Sequence, residues 1–440
     1  MRRRTRPQDA LRFGNLDPVR HRLDNGLPVI VCPQPGLSWA YAALYFGVGS
    51  RHETPAENGI THVLEHMLFR GTKSYRDATA LNAAAEDFGG YLEGATYRDH
   101  LVFATGCQPS AVDHAVSILG EIAQAPRYKA MEVEKDILRE ELLETVDRDG
   151  RMIDLDNVTH DTVFRGHSLG LPIEGTLANI ERFDRSHLEA HRRRHLTAQN
   201  AVLSVAGPVD PDAVLRAANL AFGRLGSGSR PLNEPAAPVH GPLLRFVRNT
   251  SSQVDLRLSF WAVPVRDPEY PALVLLARLL ADGLASRLHA ELVDRQGLAY
   301  ALHAGLTTYR DTGLFEFEIS VAANRAADAV KRLLGFADAA KSMRYTEEEV
   351  ARTLRRYRYG MEFMADDASD LAGWHGRAML FDIEPEVASL FGQISSLGRP
   401  DLHAVAERFF RPERLTLTAV GELARGEWGR VKKVVERWRG

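Results

Sequence analysis

The 440-residue sequence predicts an α+β fold of two homologous domains, each a mainly antiparallel sheet with helices packed on one face. Strand-like and helix-like segments alternate along the chain, and the second half repeats a unit of the first half. The length also exceeds that of one ordinary domain. The stretch 226–242, rich in Gly, Ser and Pro, is predicted to link a domain of residues 1–225 to a domain of residues 243–440.

The repeated unit is a charged helix followed by a short apolar strand that ends at a glycine. RHLTAQNAVLSVAGPV in the first half aligns without gaps to RFFRPERLTLTAVGEL in the second half, and the two glycines are Gly207 and Gly421. The offset that carries Gly207 to Gly421 is the same at every position of the unit. A constant offset of this kind indicates a duplicated domain rather than a short-period repeat array. Two such domains can face each other across a cleft.

The spacing of apolar residues assigns the individual elements. HRLDNGLPVIVCPQ predicts a hairpin around Asn25-Gly26. Four further segments are apolar, β-branched or aromatic enough for strands, and they read AYAALYFGVGS, LVFATGC, DLRLSFWAV and LFEFEISVA. Helical spacing is found over 110–125, 130–148, 270–294, 324–342 and 346–366.

The composition excludes several classes of function. A net charge of -3, with 45% hydrophobic and 26% charged residues, lacks the basic surface expected of a nucleic-acid or membrane-surface binder. Cys32 and Cys107 have no metal-ligand spacing, so neither a disulfide framework nor a thiolate zinc site is predicted. The basic N-terminus lacks the apolar region of a signal peptide, and no apolar run approaches the roughly 20 residues of a membrane helix. We therefore expect a cytoplasmic protein with no nucleic-acid or membrane partner.

The segment GITHVLEHMLFRGT places His62, Glu65 and His66 within five residues. The apolar residues between them follow helical spacing and form one buried stripe, so these three side chains fall on the opposite face. Polar residues opposite an apolar stripe are also what an ordinary surface helix shows. Two histidines at i and i+4 nevertheless suit two ligands of a tetrahedral zinc ion. A third ligand decides between the two interpretations.

The third ligand is sought in the helix MEVEKDILREELLETVD. Glu134 and Glu141 are seven residues apart, which places them about 20° apart around a helix. Ile137 and Leu138 flank them, so both carboxylates are expected to be buried in an apolar band. Burying an unpaired carboxylate costs several kcal/mol, and a cation or hydrogen bonds must compensate. The compensating group is either a metal ion or an arginine, and the helix alone leaves both open.

Together these motifs resemble the inverted-motif zinc metallopeptidases of the pitrilysin, insulin-degrading enzyme and mitochondrial processing peptidase family, and the sequence is most similar to the short bacterial two-domain members. The resemblance rests on HxxEH followed by EKDILREE and extends over LDNGLPVIV, GVGSRHE and GLAY. It implies a zinc endopeptidase with one Zn²⁺ per chain, bound by His62, His66 and Glu141. It also implies that Glu65 is the general base, that Glu134 is a supporting acid, and that paired domains form a chamber for unfolded peptides.

The second half departs from the pattern of this family. At the offset of the repeat, the HxxEH positions are occupied by Leu276, Leu279 and Leu280. No second zinc site is therefore predicted. One-chain relatives usually carry LRxKxGLAY, whose Arg and Tyr hold substrate and stabilise the developing oxyanion. Here LVDRQGLAY keeps Tyr300 but has Val293 at the arginine position. We expect a paralogous subunit without HxxEH to supply the Arg/Tyr pair in a heterodimer, unless a neighbour such as Arg295 compensates.

Two further segments carry candidate functions. SHLEAHRRRHL spaces His187, His191 and His195 for metal binding, but the adjacent arginines would repel a cation, which favours a solvated basic helix. GGYLEGAT resembles the edge strand to which relatives add a peptide strand, with Glu93 and Gly94 in place of the usual Asn-Ala. The alternative functions are a non-catalytic assembly subunit of the same fold and a protease dedicated to one precursor peptide. The intact motif weighs against the non-catalytic subunit.

Overall fold

The computed structural model describes residues 18–383 and 387–440, and it describes only the backbone of Tyr300, Val387 and Ala388. Within these ranges the strands form two sheets. The strands are β1 Val19–Arg22, β2 Pro28–Pro33, β3 Ala40–Phe46, β4 Leu92–Thr96, β5 Leu101–Cys107, β6 Ala201–Gly207, β7 Leu243–Arg248, β8 Gln253–Ala262, β9 Ala299–Thr308, β10 Gly313–Ala322 and β11 Leu415–Gly421.

Helices cover both sheets. They are α1 Ile60–Leu68, α2 Ala78–Glu86, α3 Val112–Gln124, α4 Met131–Thr145, α5 Leu155–Val163, α6 Leu177–Arg182, α7 Arg185–His195, α8 Pro211–Phe222, α9 Tyr270–Ala281, α10 Arg287–His289, α11 Ala326–Lys341, α12 Glu347–Ala365, α13 Ala368–Leu380, α14 Val387–Ser395, α15 Arg399–Phe409 and α16 Glu427–Arg437.

The second sheet repeats the strand order of the first. The orders are β1-β2-β6-β3-β5-β4 and β7-β11-β8-β10-β9, so each strand of the second sheet has a counterpart in the first. In each sheet one neighbouring pair is parallel, β2 with β6 and β7 with β11. The other neighbours are antiparallel. The prediction of an α+β fold with two mainly antiparallel sheets is confirmed.

The structure places the two repeated units in corresponding positions. The offset that carries Gly207 to Gly421 also carries both ends of α7 to those of α15 and both ends of β6 to those of β11. The two glycines end their strands with φ of 129° and 139°, a conformation that residues other than glycine rarely adopt. A Cβ at Gly207 would lie 2.6 Å from the Ala40 Cα. The glycine that ends each unit is therefore a steric requirement of the repeat.

Two helices pack on the sheet of the opposite half. Helix α5 from the first half contacts β7, β8 and β11, and helix α13 from the second half contacts β2, β3 and β6. Their starts, Leu155 and Ala368, are related by nearly the same offset as the repeated units. Hydrogen bonds fasten α5 in place: the Thr159 hydroxyl lies 2.7 Å from the Thr418 hydroxyl, and His160 Nε2 lies 2.7 Å from the hydroxyl of a tyrosine that follows β9. The exchange joins the two halves through their cores.

Most predicted elements are found, and one is wrong. Strands β1 and β2 pair across the turn at Asn25-Gly26, as predicted. The helix expected over 270–294 ends at Ala281 and resumes as the short α10. Gly283, with φ of 84°, lies just after the end of α9. Left-handed glycine at this position is a common helix terminator, which explains the break.

Cys32 and Cys107 are buried on different strands of the first sheet, and no disulfide joins them. Burial raises the pKa of the Cys107 thiol to about 12. In the ranges that the structure describes, none of the helices combines the length and the apolar character needed to cross a membrane.

Candidate metal centre

Helix α1 carries the HxxEH residues and is anchored at its first turn by a buried acid. Glu53 accepts hydrogen bonds from the backbone N–H groups of Gly59, at 2.7 Å, and Thr61, at 2.9 Å. These donors belong to the helix start, which has no capping side chain of its own. The Asn58 side chain donates a third hydrogen bond to the same carboxylate at 3.0 Å. Glu53 therefore satisfies backbone donors that the start of α1 leaves without partners of its own.

The two histidines of α1 and one glutamate of α4 converge. His62 Nε2 and His66 Nε2 are 3.2 Å apart, and the Glu141 Oε2 atom lies 3.7 Å from the first and 3.5 Å from the second. Donor atoms about 2.0–2.2 Å from a tetrahedral Zn²⁺ lie about 3.3–3.5 Å from one another. The three measured separations fit this triangle. Among the described residues, this is the one group of three or more potential ligands within metal-binding distance.

Glu134 fixes the orientation of the His66 ring through Nδ1, the ring nitrogen that does not face His62. Its Oε1 atom lies 2.9 Å from His66 Nδ1, and the Arg70 guanidinium pairs with its other oxygen. A carboxylate acceptor at Nδ1 keeps the proton on that nitrogen, so the lone pair of Nε2 faces His62 and Glu141. The structure thus brings Glu134 to the site as a neighbour of His66 and not as a member of the group of three candidate ligands.

The two acids of α4 differ in exposure, although both were expected to be buried. The side chain of Glu134 is 5% exposed and that of Glu141 is 43% exposed. Ile137, which should complete the apolar band, is itself exposed, because α4 packs on the first half mainly through Leu138 and Leu142. The arginine alternative therefore applies to Glu134, through its pairing with the guanidinium described above, and the metal alternative suits Glu141.

Glu65 lies beside the histidines in a largely buried position. The residue is 8% exposed, and Thr96 on β4 donates a hydrogen bond of 3.1 Å to its Oε2 atom. A Cβ at Gly94 would lie 2.6 Å from the Glu65 Oε1 atom, so glycine leaves room for the carboxylate. Burial raises the pKa of Glu65, whereas His66 and the Thr96 bond lower it. Burial and then the proximity of His66 lower the pKa of His62 to about 3, which keeps its ring neutral.

Strand β4 lies at the open edge of the first sheet, next to Glu65. It pairs with β5 through Leu92 to Thr96 and has no other strand neighbour among the described residues. The unpaired backbone of an edge strand can bind an extended peptide. The position agrees with the expectation drawn from GGYLEGAT.

The structure describes the candidate residues of the second half only in part. The backbone of Tyr300 lies on β9, and its side chain lies outside the described residues. Val293 lies in the helical turn Ala290–Asp294. Arg295 is 74% exposed, and its guanidinium bonds to Glu291 at 2.9 Å. Arg295 is thus engaged by a neighbouring acid.

The histidines of α7 do not belong to a solvated helix. His191 and His195 are buried, with rings 4.5 Å apart, because this face of α7 packs against α1. The His191 Nε2 atom lies 3.0 Å from the Thr61 hydroxyl. Of the three histidines, His187 alone is largely exposed. The expected solvated face is wrong for the two buried rings, and no metal group forms here among the described residues.

Three residues of the site were not predicted from sequence. Arg70 lies just after the end of α1 and pairs with Glu134, and helical spacing does not predict this contact. Glu53 and Thr96 reach α1 from other segments. Their contacts depend on how the sheet and the helix pack, and the sequence carries no local signal for them.

Comparison with protein families identifies the class. Residues 29–177 match the family model described as Insulinase (Peptidase family M16), and residues 182–357 match that of the Peptidase M16 inactive domain. An uncharacterized zinc protease of Rickettsia felis is 30% identical over 315 residues, which cover 71% of this chain and 75% of that protein. The chain therefore belongs to peptidase family M16, and the predicted resemblance is confirmed.

Other relatives agree with this assignment. A probable mitochondrial-processing peptidase subunit beta of Arabidopsis thaliana is 26% identical over 417 residues, covering 91% of this chain and 78% of that protein. A protease structure from Helicobacter pylori superimposes with a TM-score of 0.86 at 21% identity, covering 92% of this chain and 99% of that one. The structure of a peptidase M16 inactive domain from Pseudomonas fluorescens superimposes with a TM-score of 0.84 at 20% identity, covering 93% of this chain and 98% of that one. At these identities the two structures show a shared fold.

Proposed function

We propose that this chain is a zinc endopeptidase that hydrolyses peptide bonds in peptides or unfolded polypeptides, with one Zn²⁺ per chain. The observation that carries the proposal is the triangle of the His62, His66 and Glu141 donor atoms, with Glu65 beside it. Two imidazoles and one carboxylate form a donor set typical of hydrolytic zinc sites, which keep a further position open. Several relatives named zinc proteases support the same activity.

The chain's own residues prepare the site for proton transfer. Bound zinc supplies a water molecule of lowered pKa and polarises the scissile carbonyl. Glu65 accepts the proton that the attacking water loses and then donates it to the leaving amine. Burial raises the pKa of this carboxyl towards the range in which a proton shuttle works best, and Thr96 fixes its position. Glu134 holds the His66 ring in orientation through Nδ1.

The substrate binds as an added strand on β4. Only an extended segment can pair along an edge strand, so the site selects peptides and unfolded chains over folded domains. Gly94 borders Glu65 and Thr96 donates a hydrogen bond to it, which supports a scissile bond that lies alongside this part of β4.

A paralogous subunit completes the active site in this proposal. Val293 replaces the expected arginine, and Arg295 is bonded to Glu291, so a partner that lacks HxxEH and carries the Arg/Tyr pair supplies these groups in a heterodimer. Tyr300 remains this chain's own candidate for a tyrosine that holds substrate and stabilises the developing oxyanion. Relatives named as subunit beta of a processing peptidase support a paired assembly. We keep the domain boundaries 1–225, 226–242 and 243–440, and the cytoplasmic location, as further predictions.

A non-catalytic assembly subunit is the second candidate. It is favoured by the Pseudomonas fluorescens neighbour, which is described as an inactive domain, and by a neighbour within Complex III2 from Candida albicans, with a TM-score of 0.79. The presence of all three ligands together with Glu65 favours the enzyme. A processing protease for one precursor shares the chemistry of the first candidate and differs in substrate.

Metal analysis beside a fluorogenic-peptide assay tests the proposal. The purified chain, with and without a co-expressed partner, should bind about one equivalent of zinc and cleave peptide in a chelator-sensitive reaction. Glu65→Gln should retain zinc and lose about 10²- to 10⁴-fold in rate, because it removes the proton acceptor and keeps the shape. The control Glu140→Gln alters an exposed acid of α4 and should change neither. Cleavage by Glu65→Gln at the parental rate would overturn the assignment of the base.

A further inference from the structure

The edge strand β4 presents different chemistry on its two faces. Successive side chains of a strand point to opposite faces of a sheet. Thr96 bonds to Glu65 on the α1 face, and Gly94 borders the same carboxylate. Glu93 lies on the other face, where it meets Tyr41 of β3. An added peptide strand would likewise turn alternate side chains to the Glu65 face and to the Glu93 face.

Glu93 is an exposed carboxylate fixed in place without a cation. The Tyr41 hydroxyl donates a hydrogen bond of 2.5 Å to its Oε2 atom. The Tyr41 ring is buried, so the donor is anchored in the core of the sheet. Among the described residues, no Lys, Arg or His nitrogen forms an ion pair with Glu93. Asp156, by contrast, is shared by two guanidinium groups, those of Arg98 and Arg257.

Two tyrosines, Tyr41 and Tyr91, lie beside this carboxylate. Burial raises the pKa of Tyr41 and of Tyr91, and the negative charge of Glu93 raises both further, so both hydroxyls stay protonated. Tyr91 is about half exposed and lies two residues before Glu93, just ahead of the same strand. A carboxylate beside an exposed aromatic face is an environment that stabilises an ammonium or guanidinium group, through charge and through the ring.

We propose that Glu93 is a specificity-determining residue that selects a lysine or arginine side chain in the peptide, within about three residues of the cleaved bond. The inference rests on the proposed function, in which the peptide pairs with β4. Side chains directly opposite each other on neighbouring strands have Cβ atoms about 4.5–5.5 Å apart, and diagonal neighbours remain within reach of long side chains. Because only alternate residues face Glu93, the preference falls on positions of one parity.

The distance along the strand sets the position of the selected residue. Glu93 precedes Gly94 by one residue and Thr96 by three, and these two residues lie next to the catalytic carboxylate. At about 3.3 Å per residue, Glu93 is about 3–10 Å from the point where the scissile bond lies. Opposite charges in such a cross-strand pair favour the basic peptide by about two- to fivefold.

A scanning set of fluorogenic peptides tests the inference. The set starts from one uncharged parent peptide. Each of six peptides carries one lysine, at one of the three positions on either side of the cleaved bond, and six matched peptides carry glutamine at the same positions. The zinc-loaded wild-type chain should show a kcat/KM about two- to fivefold higher for lysine at positions of one parity. Glu93→Gln keeps an acceptor for Tyr41 and removes the charge, so it should bring the ratio of kcat/KM for lysine over glutamine peptides to about one. Higher ionic strength should reduce the preference.

Two variants sharpen the test. Glu93→Lys should reverse the preference, because the cation then repels a basic side chain. The control Glu86→Gln removes an exposed acid of α2 and should leave the preference unchanged. Equal kcat/KM for lysine and glutamine at all six positions, or a preference that survives Glu93→Gln, would overturn the inference.

A binding measurement separates this inference from the proposed function. Fluorescence anisotropy with zinc-loaded Glu65→Gln reports peptide affinity without turnover. Tighter binding of the lysine peptide that is lost in the Glu65→Gln, Glu93→Gln double variant supports the role of Glu93 even if the wild-type chain cleaves nothing, in which case the proposed function fails alone. Equal affinity for both peptides overturns the role of Glu93 even if cleavage is observed.

Discussion

The two halves of this chain share a strand order but differ in the residues that one helix of each half carries, which are polar in the first half and apolar in the second. In the first half, α1 presents His62 and His66 to a carboxylate from α4. In the second half, the corresponding positions on α9 are Leu276, Leu279 and Leu280, and all three are buried. The fold itself therefore does not require polar residues at these positions. The histidines of the first half are therefore explained by chemistry and not by packing.

The helices that precede the repeated strand show the same contrast. His191 and His195 on α7 correspond, at the offset of the repeat, to Val405 and Phe409 on α15. All four side chains are buried. In the first half the His191 ring lies against Thr61, which directly precedes the candidate ligand His62, and so supports α1 with a hydrogen bond. In the second half the same place is filled by apolar packing.

The largest effect is expected when the first half receives the residue of the second. His66→Leu places the counterpart of Leu280 at the metal centre, so zinc binding should be lost and peptide cleavage should fall to background. The fold should survive, since α9 carries leucine at the same position. Metal content, peptide hydrolysis and circular dichroism measure the three outcomes. A zinc-loaded, active His66→Leu variant would show that His66 is not needed for the metal or for cleavage.

The second half should respond through stability alone. Leu280→Ala removes a buried side chain and leaves a cavity, and it should lower the free energy of unfolding by about 2–5 kcal/mol. Urea denaturation measures this loss. The zinc content of the folded protein should stay at the parental value, because no ligand group is touched. Loss of zinc from folded Leu280→Ala would show that the two halves are more tightly coupled than the contacts indicate.

A smaller effect is expected at the residue that orients a ligand. Glu134→Gln keeps a group of similar size next to His66 and Arg70 but removes the charge that fixes Nδ1–H. Zinc affinity should fall by about 10- to 100-fold, as is typical for such supporting carboxylates. Competition with a chromophoric chelator measures the affinity. Glu132→Gln, an exposed acid of the same helix, is the matched control.

The stability of the protein should depend on pH through the buried His195 of α7, whereas its counterpart on α15, Phe409, does not titrate. Burial and then the charge of Arg194 lower the pKa of His195 to about 4, below the ordinary value near 6.5. The unfolded chain therefore binds more protons between these values, and the free energy of unfolding should fall as pH drops from 6.5 to 4. His195→Phe should remove about 1–2 kcal/mol of that decline.

Urea titrations at several pH values measure this slope. An identical decline in wild type and His195→Phe would assign the acid sensitivity to another group.

The sequence predicts most of the metal centre and part of its surroundings. His62 and His66 follow from helical spacing, and the seven-residue interval brings Glu134 and Glu141 to one face of α4. Local spacing cannot distinguish the two acids, because their different exposure depends on where α4 meets the first half. The hydrogen bond between Thr96 of β4 and Glu65 of α1 has no local signal either, because it joins an edge strand to a helix from a different part of the chain.

The fold shows a similar division. The constant offset predicts the duplication, and the structure reproduces it in β6 and β11. The exchange of α5 and α13 between the sheets has no local signal, because apolar spacing predicts that a helix has a buried face but not which sheet covers it. The break of α9 could have been predicted from Gly283, whose left-handed conformation ends the helix.

Anomalous diffraction at the zinc absorption edge, from crystals of the purified zinc-loaded chain, would show directly whether His62, His66 and Glu141 bind the ion. We expect one strong peak within about 2.0–2.2 Å of His62 Nε2, His66 Nε2 and a carboxylate oxygen of Glu141. A peak elsewhere in the molecule, or zinc bound by the histidines with the Glu141 carboxylate outside coordination distance, would contradict it.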